Sequence, residues 1–317
     1  FLARRSRAIQ YWSRRPGGSV DAKRSGFAEV EGARIYYEVE GAGHPIVLIH
    51  QLGVDRRVWD DQVPAFSERY TVVRYDRRYW GRTQVEDEDY PVPDDPDLNS
   101  MKQWFEDQPP SPAPWEDLHG LLDHLGIERA HLLGLHDGGE VALEFALEYP
   151  ERVSALVLVD TVVASAGSPE QFQNMFERGV EKAAQLRGVL EEALRKKDLT
   201  AIIDWTLDDP SYAASTEATR RRLRQIFADN ASSSLFSRDY KVRRTSPPVG
   251  ERLGSVEAPT LLILTGERDP DVRELDQALE TGIKRSTSKT IPDASPTLNM
   301  DHPEEFNRIV TDFLDSL

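Results

Sequence analysis

One thirty-residue stretch constrains the fold of this chain more than any other part of it. Residues 131–160 read HLLGLHDGGEVALEFALEYPERVSALVLVD. Two short apolar runs flank a segment whose apolar residues recur at helical spacing, and a glycine-containing turn separates the first run from that segment. Because neighbouring parallel strands need a crossover connection, this order predicts a strand–helix–strand unit in a mostly parallel sheet covered on both faces.

Further buried strands are predicted on both sides of this unit. The run PIVLIH has no polar face, which is typical of a strand that is covered on both sides, and TVVRYD and TLLILT are predicted as further strands of the same sheet. Two alternating runs joined at Gly32 predict an antiparallel hairpin ahead of them. Strands that alternate with helices along the chain indicate the α/β class.

The chain divides into a core and three added segments. We expect the core over residues 27–162 and 251–317, and a helical cap over residues 163–250, where the pattern becomes helical and polar. Residues 84–114 carry seven prolines and nine acidic residues against one lysine, so they are predicted to form a surface excursion. Residues 1–26 form a basic N-terminal arm.

The net charge of −16 is unevenly distributed. Residues 1–24 carry seven Lys and Arg against one Asp, or +6, which leaves −22 on the remainder. An acidic body repels phosphates, which argues against nucleic acid as the main partner. No apolar run is long enough for a membrane span, and only the basic arm suits contact with an anionic membrane surface. We expect a soluble, cytoplasmic protein, although a chain that begins at Phe1 leaves a removed targeting signal open.

Five segments, in order, resemble the landmarks of the α/β-hydrolase superfamily. They are IVLIHQLGVDRRVWDDQ, VVRYDRRYWGRT, the stretch 131–160, LLILTGERDP and NMDHPEEFNRIV. The resemblance is strongest to the capped esterases, lactonases, epoxide hydrolases and peroxidase-like members. It implies an α/β-hydrolase fold, with a mostly parallel central sheet flanked by helices and a helical cap insertion. It covers roughly residues 27–317 apart from the acidic insertion and much of the cap, and it does not by itself fix the function.

The resemblance breaks down at the catalytic positions. In the family, a G-x-S-x-G elbow raises a serine on a strained strand-to-helix turn. Gly134 and Gly138 match the glycines of that motif, but His136 stands where the serine is expected. Asp269 matches the family's acid, and Pro296 stands where the catalytic histidine is expected. The nucleophile and the base of a serine hydrolase are therefore both replaced.

Two further departures fall on the predicted rim of the same pocket. The loop after PIVLI reads His50-Gln51 where the family has His-Gly, and Tyr79 stands where a glycine is usual. An aromatic pocket suits a mid-sized, partly apolar organic molecule. The residues predicted to line it are His50, Gln51, Tyr79, Trp80 and Pro296, with Phe172, Phe176 and Trp205 contributed by the cap.

A histidine at the elbow can take the role of a general base. We hypothesise that Asp269 orients the ring of His136, with Asp160 as a second possible partner. The backbone N–H groups of Asp137 and Leu52 are the predicted donors to a developing oxyanion. The side chain of Asp137 is expected to point away from His136, because it lies on a tight turn.

Three functions remain open on the sequence. The first is a cofactor-independent enzyme that uses His136 as a base in isomerase, lyase, cyclase or water-activating chemistry. The second is a catalytically silent relative that binds a small ligand or a protein. The third is an ester or lactone hydrolase. The missing hydroxyl at the elbow favours the first over the other two.

No cofactor or metal is expected. The chain has no cysteine, which excludes thiolate metal sites and a cysteine nucleophile. His119 and His124 are five residues apart and lack the carboxylate arrangement of a metal site. The turn GLHDGG lacks both the lysine of a phosphate-binding loop and the spacing of a dinucleotide site.

Overall fold

A computed structural model describes the parts of the chain that carry the fold. The described residues are 23–86, 103, 107, 111–166, 186–189, 191–193, 195–196, 198–208, 214, 216–230, 245–266, 270–291 and 294–317. Most of the basic arm and of the acidic insertion lie outside them, as do Asp269, Phe172 and Phe176. No helix within these ranges is both long and apolar enough to cross a membrane.

Nine strands of the described chain form one sheet. They are β1 (Arg24–Val30), β2 (Ala33–Glu40), β3 (His44–Ile49), β4 (Tyr70–Tyr75), β5 (Gln84–Val85), β6 (Ala130–Leu135), β7 (Val153–Val159), β8 (Thr260–Thr265) and β9 (Ser286–Ile291). The strand order is β1-β2-β4-β3-β6-β7-β8-β9, with the short β5 beside β2. β1, β2 and β5 pair antiparallel, β2 also pairs antiparallel with β4, and the pairs from β4 to β9 are parallel.

Helices cover both faces of this sheet. They are α1 (Val63–Ser67), α2 (Pro114–Leu125), α3 (Asp137–Glu148), α4 (Thr200–Leu207), α5 (Glu217–Asp229), α6 (Val249–Arg252), α7 (Pro270–Gly282), α8 (Leu298–Asp301) and α9 (Pro303–Asp315). Side chains on the two faces of the strands pack into two apolar clusters, one beneath α2 and α3 and the other beneath α9. The prediction of an α/β-hydrolase fold with a mostly parallel sheet is confirmed.

Two boundaries differ from the prediction. β1 begins at Arg24, inside the segment assigned to the basic arm, because it pairs with β2 over its whole length. The run VWDDQVPAFSERY, residues 58–70, has Trp59, Val63 and Phe66 at helical spacing and predicts a helix. The structure instead has a 3₁₀ turn (Arg56–Trp59) followed by the five-residue α1. Pro64 lies in the first turn of α1, where a missing N–H costs little, so it starts the helix.

The described cap helices rest on the core. Ile203 and Leu207 of α4 and Leu223 of α5 join the same apolar cluster as the fully buried Trp59. Asn230, directly after α5, donates to Asp55 Oδ2 at 2.8 Å and accepts from the Gly81 N–H at 2.8 Å. The far end of α5 is therefore fixed to two loops at the carboxyl edge of the sheet.

Candidate active site

His136 occupies a strained turn between β6 and α3. Its φ of 51° and ψ of −118° lie in a region that residues with a side chain rarely adopt. The turn is held by the His136 N–H, which donates to Val159 O at 2.8 Å, and by the Gly139 N–H, which donates to His136 O at 2.9 Å. The side chain of His136 is half-buried at the start of α3.

Glycines allow this turn to form. A Cβ on Gly134 would collide with the carbonyl of Gly138, and one on Gly139 would collide with the hydroxyl of Thr161. A Cβ on Gly138 would lie 2.5 Å from Ile49 O. The first turn of α3 therefore packs directly against the ends of β3 and β6 and against Thr161, two residues after β7. This packing holds His136 at the carboxyl edge of the sheet.

Three described non-glycine residues have a positive φ, and all three lie at this edge. They are His136, Tyr79 with a φ of 72° and Asp160 with a φ of 46°. Each was singled out as a site residue from the sequence. Backbone strain of about 1–3 kcal/mol per residue is retained mainly where the surroundings or the function demand it. The strain therefore marks one rim at the ends of β4, β6 and β7.

Asp160 connects the ends of β7 and β8. It is 1% exposed, and its Oδ1 accepts from the Thr265 N–H at 2.8 Å while Oδ2 accepts from the Thr265 hydroxyl. Its own N–H donates to Ile263 O at 2.8 Å. These contacts give the carboxylate a structural task, and its pairing with His136 stays a prediction. Asp269, the other predicted partner of His136, lies outside the described residues.

The loop after β3 uses its predicted oxyanion donor within the protein. The Leu52 N–H donates to Asp137 Oδ1 at 2.9 Å, and the guanidinium of Arg77 donates to Asp137 Oδ2. The Leu52 N–H therefore bonds to a carboxylate of the protein itself, and its role as a donor to a substrate oxyanion stays a prediction. The Asp137 side chain points at the loop because both the amide and the guanidinium attract it. Helix α3 leaves the Asp137 N–H, in its first turn, without an intrahelical acceptor.

His50 is a structural histidine. It is 0% exposed; its Nδ1 lies 2.7 Å from Gln51 O, and its Nε2 accepts from the Arg77 N–H at 2.9 Å. The carbonyl contact fixes the proton on Nδ1, so the ring is neutral. Burial, together with the nearby positive charge of Arg77, lowers the pKa of His50 to about 4.

Two residues predicted to line the pocket are instead packed inside the protein. His50 and Trp80 are both 0% exposed, so neither faces an open cavity. Gln51 is 2% exposed, and its Oε1 finds no hydrogen-bond partner among the described residues. The half-buried Tyr79 places its hydroxyl 3.3 Å from Ser111 Oγ, where the chain returns from the acidic insertion.

The segment predicted to match the position of the family's base is organised around a carboxylate. Pro296 is half-buried, and the flanking Ser295 and Thr297 hydroxyls donate to Asp301 Oδ2 at 2.5 and 2.8 Å. Thr216, the residue before α5, donates to Asp301 Oδ1 at 3.1 Å. The segment around Pro296 therefore ties the cap to the core. Of the three cap aromatics predicted to line the pocket, Trp205 alone lies in a described segment, where it is half-buried on α4.

Arg77 is the site residue that the sequence analysis missed. It donates to His50 O at 3.1 Å as well as to Asp137, and its side chain is 5% exposed. The signal was its place in DRRYW, directly after β4, because strand ends on this edge converge on the elbow.

A separate cleft lies away from the elbow. It has a volume of about 690 Å³ and is lined by residues at the amino-terminal ends of the strands, among them His44, Arg129 and Arg152. Since the elbow stands at the carboxyl ends, this cleft is not the predicted pocket. Within the described ranges no three His, Asp or Glu side chains are grouped as a metal site would require.

Comparison with known proteins identifies the family. The model of the alpha/beta hydrolase family matches residues 46–309, and the chain therefore belongs to that family. A 2-hydroxy-6-oxononadienedioate/2-hydroxy-6-oxononatrienedioate hydrolase of Paraburkholderia phymatum is 31% identical over 89% of this chain and 91% of its own length. A 2-hydroxy-6-oxo-6-phenylhexa-2,4-dienoate hydrolase of Comamonas testosteroni is 26% identical over 88% of this chain and 91% of its own.

Solved structures agree on the fold. The enol-lactonase of Burkholderia xenovorans LB400 aligns with a TM-score of 0.62 and 24% identity, over 91% of this chain and 99% of its own. A thermophilic esterase of Thermogutta terrifontis aligns with a TM-score of 0.64 and 22% identity, over 93% and 98%.

The leading functional interpretation of the sequence is wrong. It placed an isomerase, lyase or cyclase ahead of a hydrolase, because the elbow lacks a hydroxyl. The relatives from Paraburkholderia phymatum, Burkholderia vietnamiensis and Comamonas testosteroni are named as hydrolases, and solved structures of similar fold include an enol-lactonase and a meta-cleavage product hydrolase. The alternative of an ester or lactone hydrolase fits these findings better.

Proposed function

We propose that this chain is a hydrolase that adds water to a carbonyl of a small organic substrate, with esters and lactones as the first class. The observation that carries the proposal is the strained backbone of His136, kept at the elbow of a chain that belongs to a hydrolase family. A turn that costs free energy persists where a function or a tightly packed frame requires it. Here it presents an imidazole at the point where this fold reacts.

The attacking oxygen in this proposal is that of water. His136 accepts a proton from the water molecule as the water oxygen bonds to the acyl carbon. When the tetrahedral intermediate collapses, the bond from the acyl carbon to the leaving oxygen breaks, and His136 returns the proton to that oxygen. An ester and water thus become an acid and an alcohol, and the imidazole ends neutral as it began.

Charge on the intermediate needs donors close to the elbow. The Asp137 N–H, at the first residue of α3, carries the partial positive charge of a helix amino end. Asp269 is proposed to orient the ring, as the matching acid does in the family. Tyr79 and Gln51 are proposed to border the substrate, since their backbones follow β4 and β3 at the same edge.

Hydrolysis of a carbon–carbon bond beside a carbonyl is the second candidate. It is favoured by the relative from Paraburkholderia phymatum, which matches 89% of this chain and is named as a hydrolase of an oxo-dienedioate. The chemistry differs in the leaving group alone, since His136 would return its proton to carbon.

The test compares His136→Ala with the parent protein. We expect hydrolysis of a p-nitrophenyl ester, a γ-lactone or a 2-hydroxy-6-oxo-dienoate to fall by about 10²–10⁴-fold, the usual contribution of general base catalysis. His124→Ala, an exposed histidine on α2, is the matched control and should keep full activity. Equal turnover of parent and His136→Ala would remove His136 from the mechanism.

Two further results would contradict the proposal in different ways. A burst of p-nitrophenol with an acyl mass added to a side chain would show a covalent route in place of direct water attack. If no substrate of the three classes is turned over, while one binds in the micromolar range by calorimetry, the silent-binding alternative is favoured.

A further inference from the structure

We propose that the carboxylate of Asp137 fills the oxyanion position of this site and holds the enzyme in a restrained state. The inference rests on the proposed function, because it concerns the regulation of the same site. Asp137 Oδ1 lies 2.9 Å from the Leu52 nitrogen, the distance at which a catalytic donor would hold an oxyanion. The protein therefore supplies its own anion where the intermediate would place one.

The surrounding contacts keep this carboxylate in place. Arg77 donates to Asp137 Oδ2 and, at 3.1 Å, to His50 O. The Arg77 N–H donates to His50 Nε2, so the guanidinium, the loop and the carboxylate form one connected set. Arg77 has a 5% exposed side chain, and charge-assisted bonds of this kind are strong where water is excluded.

A substrate oxyanion would compete with Asp137 for the same donor. Two negative charges cannot share the Leu52 N–H at van der Waals distance without strong repulsion. The side chain of Asp137 is 32% exposed, so it has solvent into which it can rotate. Catalysis on a neutral ester then requires the carboxylate to leave the loop, which frees the Leu52 N–H and leaves Arg77 beside the developing charge.

Turnover of Asp137→Ala tests this restraint. We expect kcat for a neutral p-nitrophenyl ester to rise by about tenfold or more, since a single oxyanion donor contributes 10²–10³ in known enzymes. The kcat of Asp137→Asn should rise less, because its amide oxygen still accepts a hydrogen bond from the Leu52 N–H. A merely structural carboxylate would instead lower both Tm and kcat when removed.

Glu148→Ala is the matched control. Glu148 ends the same helix α3, its side chain is also 32% exposed, and it is paired with Arg252. Its removal should leave kcat unchanged, whereas a rise equal to that of Asp137→Ala would trace the effect to the net charge and overturn the proposal.

Hydrogen exchange of the Leu52 amide tests the occupancy without any substrate. We expect fast exchange in Asp137→Ala, and added acetate should slow it by restoring a carboxylate at the vacated place. Acetate should also inhibit the ester hydrolysis of Asp137→Ala more strongly than that of the parent. If the Leu52 amide exchanges at the same rate in Asp137→Ala as in the parent, Asp137 does not fill the oxyanion position. If exchange is faster but kcat is unaltered, Asp137 fills the position without restraining catalysis.

These readouts separate this inference from the proposed function. If neither parent nor variant hydrolyses any substrate, the proposed function fails, while exchange and acetate protection still decide whether Asp137 fills the position.

Discussion

His50 shows how a single buried side chain makes stability depend on pH. Above pH 7 the imidazole is mostly neutral in both the folded and the unfolded chain, so proton binding to His50 does not change the free energy of unfolding. As the pH falls through about 6.5, the unfolded chain takes up a proton, whereas the folded chain does so only near its pKa of about 4. The unfolded state binds more protons over this interval, and the free energy of unfolding falls.

We predict a loss of about 3 kcal/mol from His50 between pH 6.5 and pH 4. The measurement is urea unfolding at several pH values for the parent and for His50→Gln, whose amide can both donate and accept. The difference in the free energy of unfolding between the parent and His50→Gln should be constant above pH 7 and should shift by about 3 kcal/mol against the parent as the pH falls to 4. A difference that does not change with pH would contradict the neutral, buried ring.

At the residue scale, the sequence located the strained positions but not the direction of their side chains. His136 and Tyr79 were chosen because they stand where the family pattern has a serine and a glycine, and Asp160 because it ends a predicted strand. All three positions carry positive φ values. The rotation of Asp137 toward Leu52 depends on Arg77, which is sixty residues away along the chain. A contact between two loops that meet only in the folded sheet leaves no trace in local periodicity.

At the scale of elements, the close packing of α3 depends on its glycines. We predict that Gly138→Ala destabilises the protein by about 1–3 kcal/mol, since its Cβ would lie 2.5 Å from the backbone oxygen of Ile49. The expected result is a lower urea midpoint together with a loss of hydrolysis, because the turn bearing His136 must shift.

The matched control is Gly188→Ala. Nothing lies within 4 Å of a Cβ at Gly188, which is in a helical stretch, so alanine should be neutral or slightly stabilising. Equal midpoints for Gly138→Ala and the parent would show that the elbow can relax around a methyl group.

The sequence predicted the buried strands correctly but did not predict the short helices. β4 and β8 were predicted as strands from the runs TVVRYD and TLLILT, and both are buried at every position. The shortening of the helix expected over residues 58–70 was set by Asp55, which accepts from the Arg57 N–H and starts a 3₁₀ turn. Such capping depends on one side-chain oxygen, so the spacing of apolar residues over a longer stretch of sequence does not predict it.

At the scale of the whole molecule, the order of the sequence landmarks predicted the fold correctly, whereas the residues at the predicted site led to the wrong function. Four of the five landmarks contain the carboxyl end of a strand in one sheet, the fifth lies in α8 and α9, and the family model matches residues 46–309. The function was inferred from two replaced residues, His136 and Pro296. The lack of a serine at the elbow argues against attack by a serine hydroxyl. It does not argue against hydrolysis, because a water molecule can supply the attacking oxygen.

The overall charge should govern which substrates the site accepts. With a net charge of −16, the molecule repels anions at long range, and this repulsion is screened within about 10 Å at 0.1 M salt. We predict that kcat/KM for a p-nitrophenyl ester with a carboxylate on its acyl chain rises several-fold between about 0.01 and 0.3 M salt.

The control is a neutral ester of equal length, whose kcat/KM should not change with salt. If salt instead lowered kcat/KM for the carboxylate ester, the site itself would be positive. Arg77 would then outweigh the distant acidic surface, because a buried charge at contact distance is screened far less than charges on the exterior. The sign of the salt dependence thus decides whether the field of the whole molecule or a single guanidinium selects the substrate.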